Sequence, residues 1–324
     1  MRAVCLTELT MVSGPKVAAT SHSSSLTPHP SPVSGFTLVE LIIVIVITGI
    51  LAIVAAALIR GPVEGYFAQA NRADLVDMAQ QALNEMTTDI RGALPNSVRV
   101  SGSNALELIH VVDGARYRSG PAPRVSGDTH SPQYYYLQFN TADADFNLLG
   151  TFTQLGASRP VTLSNDYLVI YNLGISGSGG TCGTSSGGAN AYDASCVITP
   201  PGTSITVSTS SPSFPNEDHI HLSSGFKFAY PSPDDRIYLV DTPVSYICSG
   251  GSLIRYWNYA LSSTQPVPPT GAASGLVVDH VSACRFTYTP GTAQRNGLAT
   301  LELTVTRHGE SVTLVEQVHV DNAP

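Results

Sequence analysis

The hydrophobic pattern of the chain is dominated by one continuous apolar run near the amino terminus. Residues 41–59 carry no charge and are mostly Ile, Val, Leu and Ala. As a helix this run spans roughly 28 Å, close to the hydrocarbon thickness of a bilayer. Only a helix satisfies its own backbone hydrogen bonds there, so the β-branched residues do not argue for a strand. The pattern predicts a membrane-spanning helix over residues 36–60.

A helical period of apolar residues resumes after this run. Gly61 and Pro62 predict that the helix ends or kinks between the two segments, because proline removes an intrahelical hydrogen bond. Beyond them, apolar side chains recur every three or four residues. These residues are Leu75, Ala79, Ala82, Met86 and Ile90. Residues 61–93 are therefore predicted to form an amphipathic helix whose apolar face needs a sheet to cover it.

From Leu94 onwards the pattern changes to short alternating segments separated by Gly, Pro, Asn, Asp and Ser. The predicted strands are residues 98–100, 106–112, 134–139, 167–173, 226–230, 237–240, 245–248, 253–259, 275–281, 285–288, 299–306 and 312–320. The last two flank residues 307–310 and predict a hairpin. The predicted fold class is α+β, with a long amino-terminal helix packed on an antiparallel β-rich domain of residues 94–324.

Residues 174–213 interrupt the strands with a stretch rich in Gly, Ser and Thr, which predicts a long loop rather than a domain. Cys5 precedes the apolar run, and four cysteines follow it, an even number that suits disulfides in an exported domain. Three pairings are possible, and closeness in sequence favours Cys182–Cys196, which ties the loop, and Cys248–Cys284. A four-cysteine metal site is the alternative, but no C-x-x-C spacing supports it.

The composition of the chain limits the classes of ligand that it is expected to bind. The net charge is −8, only 12% of the residues are charged, and no basic cluster occurs, which argues against nucleic acid as a ligand. No phosphate-binding G-x-x-x-x-G-K-[ST] loop is present in the sequence. We therefore expect no enzymatic activity, no cofactor and no metal.

Several local patterns resemble functional sites, and each has a plainer interpretation. Residues 183–187 match the G-x-S-x-G of hydrolases, but they lie in the Gly- and Ser-rich stretch, without the strand and helix that the mechanism needs. Asp143, Asp145 and Asn147 have the spacing that begins a calcium loop. Leu148 stands where that loop needs glycine, and Gln154 stands where it needs glutamate.

The remaining candidates are side chains on predicted strands or helices. His219 and His221 would share one face of a strand as a metal pair, although a solvated face is the preferred interpretation. Trp257 could contact a sugar, but cross-strand packing is favoured. Four arginines could bind a ligand, and we expect them instead to pair with nearby carboxylates: Arg72, Arg91, Arg99 and Arg116.

The residues just before the apolar run form a specific motif. Gly35, Phe36 and Glu40 occur in the sequence G-F-T-L-V-E, directly followed by the membrane span. This combination resembles the cleavage and methylation site of the type IV prepilin family. An ordinary signal anchor would explain the hydrophobic run alone, but not these three residues together.

The resemblance implies how the chain is processed and what it does. A prepilin peptidase and N-methyltransferase removes residues 1–35 as a leader, cutting after Gly35, and methylates the new amino terminus at Phe36. Glu40 serves filament assembly. It lies in the first helical turn, where the helix dipole favours a carboxylate by about 0.3–1 kcal/mol, and it can pair with the amine of a neighbouring subunit. The leader departs from the family because it has no Lys or Arg near the cut.

The implied partners are other major and minor pilins, the inner-membrane assembly platform and membrane lipid. The protein would span the inner membrane once with a periplasmic carboxyl-terminal domain, and would then enter an extracellular pilus or a periplasmic pseudopilus. Blocks within residues 62–118 further resemble minor prepilins of the MSHA (mannose-sensitive haemagglutinin) pilus, which implies a role in priming or tipping the filament. A minor pseudopilin of type II secretion and an adhesin-like binding module on a pilin helix are the alternatives.

Overall fold

The computed structural model describes residues 35–124, 126–178, 182, 187–194, 196–210, 214–291, 295–320 and 322. The expected leader lies outside these residues except for Gly35, and so does the G-x-S-x-G pattern except for Gly187. The chain divides into two compact units, residues 1–61 and 62–324.

A single helix, α1 (Leu38–Arg91), covers the apolar run and the amphipathic segment, with Pro62 inside it. The sequence predicts that the helix ends or kinks at Gly61 and Pro62, and the helix does not end there. Proline removes one donor, and the helical hydrogen bonds before and after it continue the helix. The predicted stripe is confirmed, because the buried residues are Leu75, Ala79, Ala82, Leu83, Met86, Thr87 and Ile90.

Among the described residues, the rest of the chain is built from short and medium strands. They are β1 (Arg99–Ser101), β2 (Ala105–Arg116), β3 (Asp143–Asn147), β4 (Val161–Leu163), β5 (Tyr167–Val169), β6 (Ile205–Thr209), β7 (Asp218–Phe226), β8 (Arg236–Ser249), β9 (Ser252–Trp257), β10 (Ala273–Val278), β11 (Val281–Thr289), β12 (Gly297–Arg307) and β13 (Glu310–Val320). The α+β class is confirmed.

These strands form three sheets in which the pairs are antiparallel. The first has the order β1-β2-β8-β9-β10, with β5 also paired to β8, the second has the order β11-β12-β13, and the third has the order β3-β7-β6-β4. The predicted terminal hairpin is confirmed as β12–β13. Its two-residue turn holds His308 and Gly309 at φ of 52° and 81°, and positive φ at both positions is what a tight hairpin turn requires.

The ladder between β2 and β8 shows how the domain is organised. These strands pair up to Arg116 and Arg236, which lie directly opposite each other. Residues 117–235 therefore begin and end at the same place in the sheet, and we call them the insertion. One short strand of the insertion, β5, pairs with β8 of the sheet. Residues 62–116 and 236–320 are the scaffold.

The scaffold and the insertion centre on different hydrophobic clusters. In the scaffold, α1 packs against the first two sheets through residues such as Met86, Leu106 and Leu301. In the insertion, Phe146 and Ile220 belong to a second cluster, which also includes Ile237 and Leu239 of β8. A third cluster joins the regions, with Leu94, Ile109, Val169, Ala191, Tyr192, Ile198 and Val240.

Three sequence predictions fail in the insertion. The strand predicted at residues 226–230 is absent except for Phe226, which ends β7. Residues 134–139 are not a strand, and a 3-10 turn, Pro132–Tyr135, begins there instead. Its aromatic side chains bury themselves by ring contacts, since Tyr134 stacks between His130 and His219 at centroid distances of 4.4 and 4.7 Å. Aromatic residues that are typical of a strand therefore occur in a turn here.

The third failure concerns the predicted loop, residues 174–213. It contains β6 and a 3-10 turn, Ala191–Asp193. Ile205 and Val207 of β6 are buried in the core of the insertion. Two apolar residues among Ser and Thr are too weak a signal for a strand, and the short β3, β4 and most of β7 are missing from the predicted strands for the same reason.

The described cysteines form two disulfides. Cys182 bonds to Cys196 within the insertion, and Cys248 bonds to Cys284 within the scaffold, where it links β8 to β11. This is the pairing that closeness in sequence favours. Each region therefore has one covalent tie of its own.

Candidate functional site: the start of the amino-terminal helix

The residues of the prepilin-like motif lie where an extended segment becomes a helix. Gly35, Phe36 and Thr37 are outside the helix, which begins at Leu38. Phe36 is 79% exposed, and a side chain added at Gly35 would meet nothing within 4 Å. The peptide bond between Gly35 and Phe36 therefore lies outside the helix between two exposed residues, as a protease substrate needs to be.

Thr37 is the residue that starts the helix. Its carbonyl oxygen accepts the first helical hydrogen bond from Leu41 at 3.1 Å, and its Oγ1 accepts a hydrogen bond from the Glu40 backbone N–H at 3.2 Å. This makes Thr37 the N-cap and Glu40 the third helical residue, the spacing of a capping box. The sequence analysis missed this role, although T-x-x-E before an apolar run is a known signal for it.

The helix that follows exposes its apolar surface on every side. Large side chains from Leu38 to Ile59 are between 48% and 73% exposed, and this segment is long and apolar enough to cross a membrane. Thr48 interrupts the run, but its hydroxyl donates to the carbonyls of Val44 and Ile45 at 2.7 and 3.1 Å. The only hydroxyl of the span is thus satisfied within the helix, as an apolar environment requires.

The calcium pattern does not form a loop. Asp143, Asp145 and Asn147 lie on β3, where alternate residues share one face. Asp143 accepts hydrogen bonds from the backbone N–H groups of Gln138 and Asp145, so its oxygens are used locally.

The two candidate histidines do share a face of β7, as the sequence predicts, and both contact one carboxylate. His219 Nε2 and His221 Nδ1 lie 3.4 and 2.8 Å from Asp145 Oδ1, and His219 Nδ1 lies 2.8 Å from Asn147 Oδ1. Burial lowers the pKa of His219. No group of three His, Cys, Asp or Glu side chains among the described residues is placed to hold a metal ion.

The other candidates pack or form ion pairs. Trp257 lies against the scaffold core, with Gly275 opposite its ring on β10 and the Arg255 guanidinium 5.4 Å from the ring centroid. Arg72 pairs with Glu310 at 2.6 Å and Arg99 with Glu107 at 2.8 Å. Two of the four arginines do not form a close ion pair. The carboxylate contact of Arg116 is 4.0 Å long, and Arg91, in the last turn of α1, has no ion pair among the described residues.

Comparison with known proteins gives one match. The family model described as the prokaryotic N-terminal methylation motif matches residues 31–56, which include the residues from Gly35 to Glu40 and most of the apolar run. No curated protein and no solved structure matches the chain. The matched methylation motif, at the start of a capped and exposed apolar helix, indicates a type IV pilin-like prepilin.

Proposed function

We propose that this protein is a minor type IV pilin of the MSHA type, cleaved after Gly35, N-methylated at Phe36 and incorporated into a pilus, where it helps to prime or tip the filament. The observation that supports the proposal most is the matched motif at the open start of a capped apolar helix. The protein would be held in the inner membrane with its β-rich domain in the periplasm. Its function would then be structural, without catalysis.

The proposed role of Glu40 follows from its position. Cleavage would create a positive amine at Phe36, and the Glu40 carboxylate lies one turn into the exposed helix. In an apolar environment an unpaired carboxylate costs on the order of 2.5–3.5 kcal/mol, so it needs a cationic partner. The amine of a neighbouring subunit would meet this need and set the axial register between helices.

The decisive experiment is the mass and amino-terminal peptide of the protein extracted from membranes. A chain that begins with N-methyl-Phe36 is expected. An intact leader, or a cut inside the apolar run, would contradict prepilin processing. Gly35→Leu tests the site directly, because the structure leaves open space for the side chain, so a loss of cleavage would not reflect misfolding.

A second pair of variants separates processing from assembly. Glu40→Gln is expected to be cleaved normally and to disappear from sheared filaments, whereas Thr37→Ala, which removes the cap and keeps the carboxylate, is expected to be present in them. Equal recovery of Glu40→Gln and the natural chain in filaments would show that the carboxylate does not act in assembly.

A further inference from the structure

The last strand, β13, is an edge strand whose outer side is open. It pairs with β12 along its full length of 11 residues, and no described residue outside β12 forms a backbone hydrogen bond with it. The opposite edge of the same sheet is covered, because Phe286 and Val281 of β11 donate to the carbonyls of Ser103 and Gly251 at 2.7 and 2.9 Å. An edge strand presents unpaired N–H and C=O groups with which another chain can pair.

Apolar side chains are incompletely covered on both faces of β13. Val312 and Leu314 pack against the scaffold core but remain only half-buried, whereas Val318 on the same face is fully buried. On the opposite face, Val315 is 58% exposed. A further strand beside β13 would therefore remove apolar surface from water as well as pair the backbone groups.

Most features that protect an edge strand from unwanted pairing are absent from β13. Its sequence, E-S-V-T-L-V-E-Q-V-H-V, contains no Lys and no Pro, and its register with β12 has no bulge. The exception is Glu316, which lies opposite Leu301 of β12 and has no ion-pair partner among the described residues. A charge on the inward face of an edge strand discriminates between the strands that can be added.

Glu316 disfavours a symmetric dimer through this edge. Opposed residues of an antiparallel pair share a face, so even-numbered residues of β13 would oppose even-numbered residues of a second copy. In every such register that overlaps most of β13, Glu316 is opposite or diagonal to Glu310 or Glu316 of the other copy. Like charges at these positions destabilise the pair, whereas a Lys or Arg would stabilise it.

We propose that β13 is a docking edge for an extended segment of another protein, with alternating apolar side chains and a Lys or Arg opposite Glu316. The segment would add a strand to the β11-β12-β13 sheet, and its apolar side chains would cover Val312 and Leu314. The net charge of −8 also favours a basic partner. The docking edge belongs to the β-rich domain alone, so the proposal is independent of cleavage after Gly35.

Fluorescence anisotropy of a labelled peptide mixed with the full chain in detergent tests the docking edge. The probe is S-V-T-V-T-K-T-V-T-V-S, whose valines and lysine share one face of a strand, and the control peptide has Glu in place of Lys. We expect the Lys peptide to bind about tenfold more tightly, since the control turns an attractive charge pair into a repulsive one. Glu316→Lys should reverse this preference. Asp279→Lys makes the same change of net charge at a half-exposed turn outside β13 and should leave the preference unchanged.

Two further peptides show whether binding uses the backbone of the strand. Both keep the Lys sequence, and one carries N-methyl groups on its odd-numbered and the other on its even-numbered backbone nitrogens. An added strand donates to its neighbour through every second N–H, so one peptide should lose binding and the other should keep it. This comparison uses the natural chain, and a thermal unfolding curve establishes that the two variants fold.

The proposal is supported by a charge preference that reverses in Glu316→Lys, together with loss of binding in one methylated peptide only. It is overturned if the Lys peptide does not bind, if the Lys and Glu peptides bind the natural chain equally, or if the two methylated peptides bind equally. A preference that is unchanged in a folded Glu316→Lys variant also overturns it.

Discussion

The insertion and the scaffold each contain a buried arginine–carboxylate pair. In one pair both carboxylate oxygens have hydrogen-bond donors, and in the other only one does. In the insertion, Asp218 accepts from Arg159 at both oxygens, at 3.1 and 2.9 Å, and from the Phe152 N–H at 2.8 Å. In the scaffold, Glu107 is fully buried and accepts from Arg99 at one oxygen, at 2.8 Å. Its other oxygen and the Arg99 Nε have no hydrogen-bond partner among the described residues.

The groups around Glu107 explain the difference. The hydroxyls of Ser245 and Tyr192 both lower the pKa of Glu107, but each is shared with a second partner, since Ser245 also bonds to Tyr259 at 2.6 Å and Tyr192 donates to the Ser97 carbonyl at 3.0 Å. Burial raises the pKa of Glu107 to about 7, against the opposing effect of Arg99. Because one oxygen of Glu107 has no hydrogen-bond partner, the effect of burial on its pKa outweighs that of its donors.

The largest expected loss of stability comes from breaking the Arg159–Asp218 pair. Asp218→Ala leaves Arg159 buried and uncompensated and removes the acceptor of Phe152, so we expect the free energy of unfolding to fall by about 3–5 kcal/mol. Glu302→Ala is the control, since Glu302 meets Arg285 at 2.6 Å on an exposed face and should cost less than about 1 kcal/mol. Denaturant unfolding of both variants measures this, and equal losses would contradict the role of burial.

The two disulfides allow a second comparison of the insertion and the scaffold, with a slightly smaller expected loss in the free energy of unfolding. Replacing Cys182 and Cys196 by Ser opens a loop with a separation of 14 residues, and replacing Cys248 and Cys284 opens one of 36. Chain entropy predicts losses of about 3 and about 4 kcal/mol respectively. Unfolding in denaturant under oxidising conditions gives both values. If the shorter loop proved the more important one, residual structure in the unfolded insertion would be the explanation to examine.

The Arg99–Glu107 pair predicts that the stability of the protein depends on pH. Because the pKa of Glu107 rises from 4.5 to about 7 on folding, its contribution is full below pH 4.5 and is lost as pH rises to about 7. The change is on the order of 3 kcal/mol. Glu107→Gln cannot titrate, so its unfolding free energy should lack this decline. Stability curves from pH 4 to 8 test this, and identical slopes in the two proteins would show that Glu107 is ionised when folded.

These two pairs also show where sequence reasoning stops. The methylation motif, the helix stripe and the β12–β13 hairpin depend on residues that are neighbours in the chain, so local patterns predict them. Arg159 and Asp218 are 59 residues apart, and the Arg99 guanidinium also donates to the carbonyls of Ser262 and Ser263. No local pattern connects such residues. The Thr37 cap, by contrast, was readable from T-x-x-E.

The smallest expected effect concerns two histidines, one in each region. Burial lowers the pKa of His219 in the insertion, whereas a hydrogen bond to Asp241 raises the pKa of His110 in the scaffold. The stability that His219 contributes is present above pH 6.5 and is lost as pH falls towards its folded pKa. The contribution of His110 has the opposite sign, being full below pH 6.5 and lost as pH rises through its folded pKa.

NMR titration of the imidazole C–H signals measures both histidines in one sample, with midpoints expected below 6.5 for His219 and above 6.5 for His110. Asp241→Asn should lower the midpoint of His110 and leave that of His219 unchanged, because the aspartate supplies the raising hydrogen bond only to His110. Midpoints in the reverse order would mean that the contacts of His219 with Asp145 outweigh its burial.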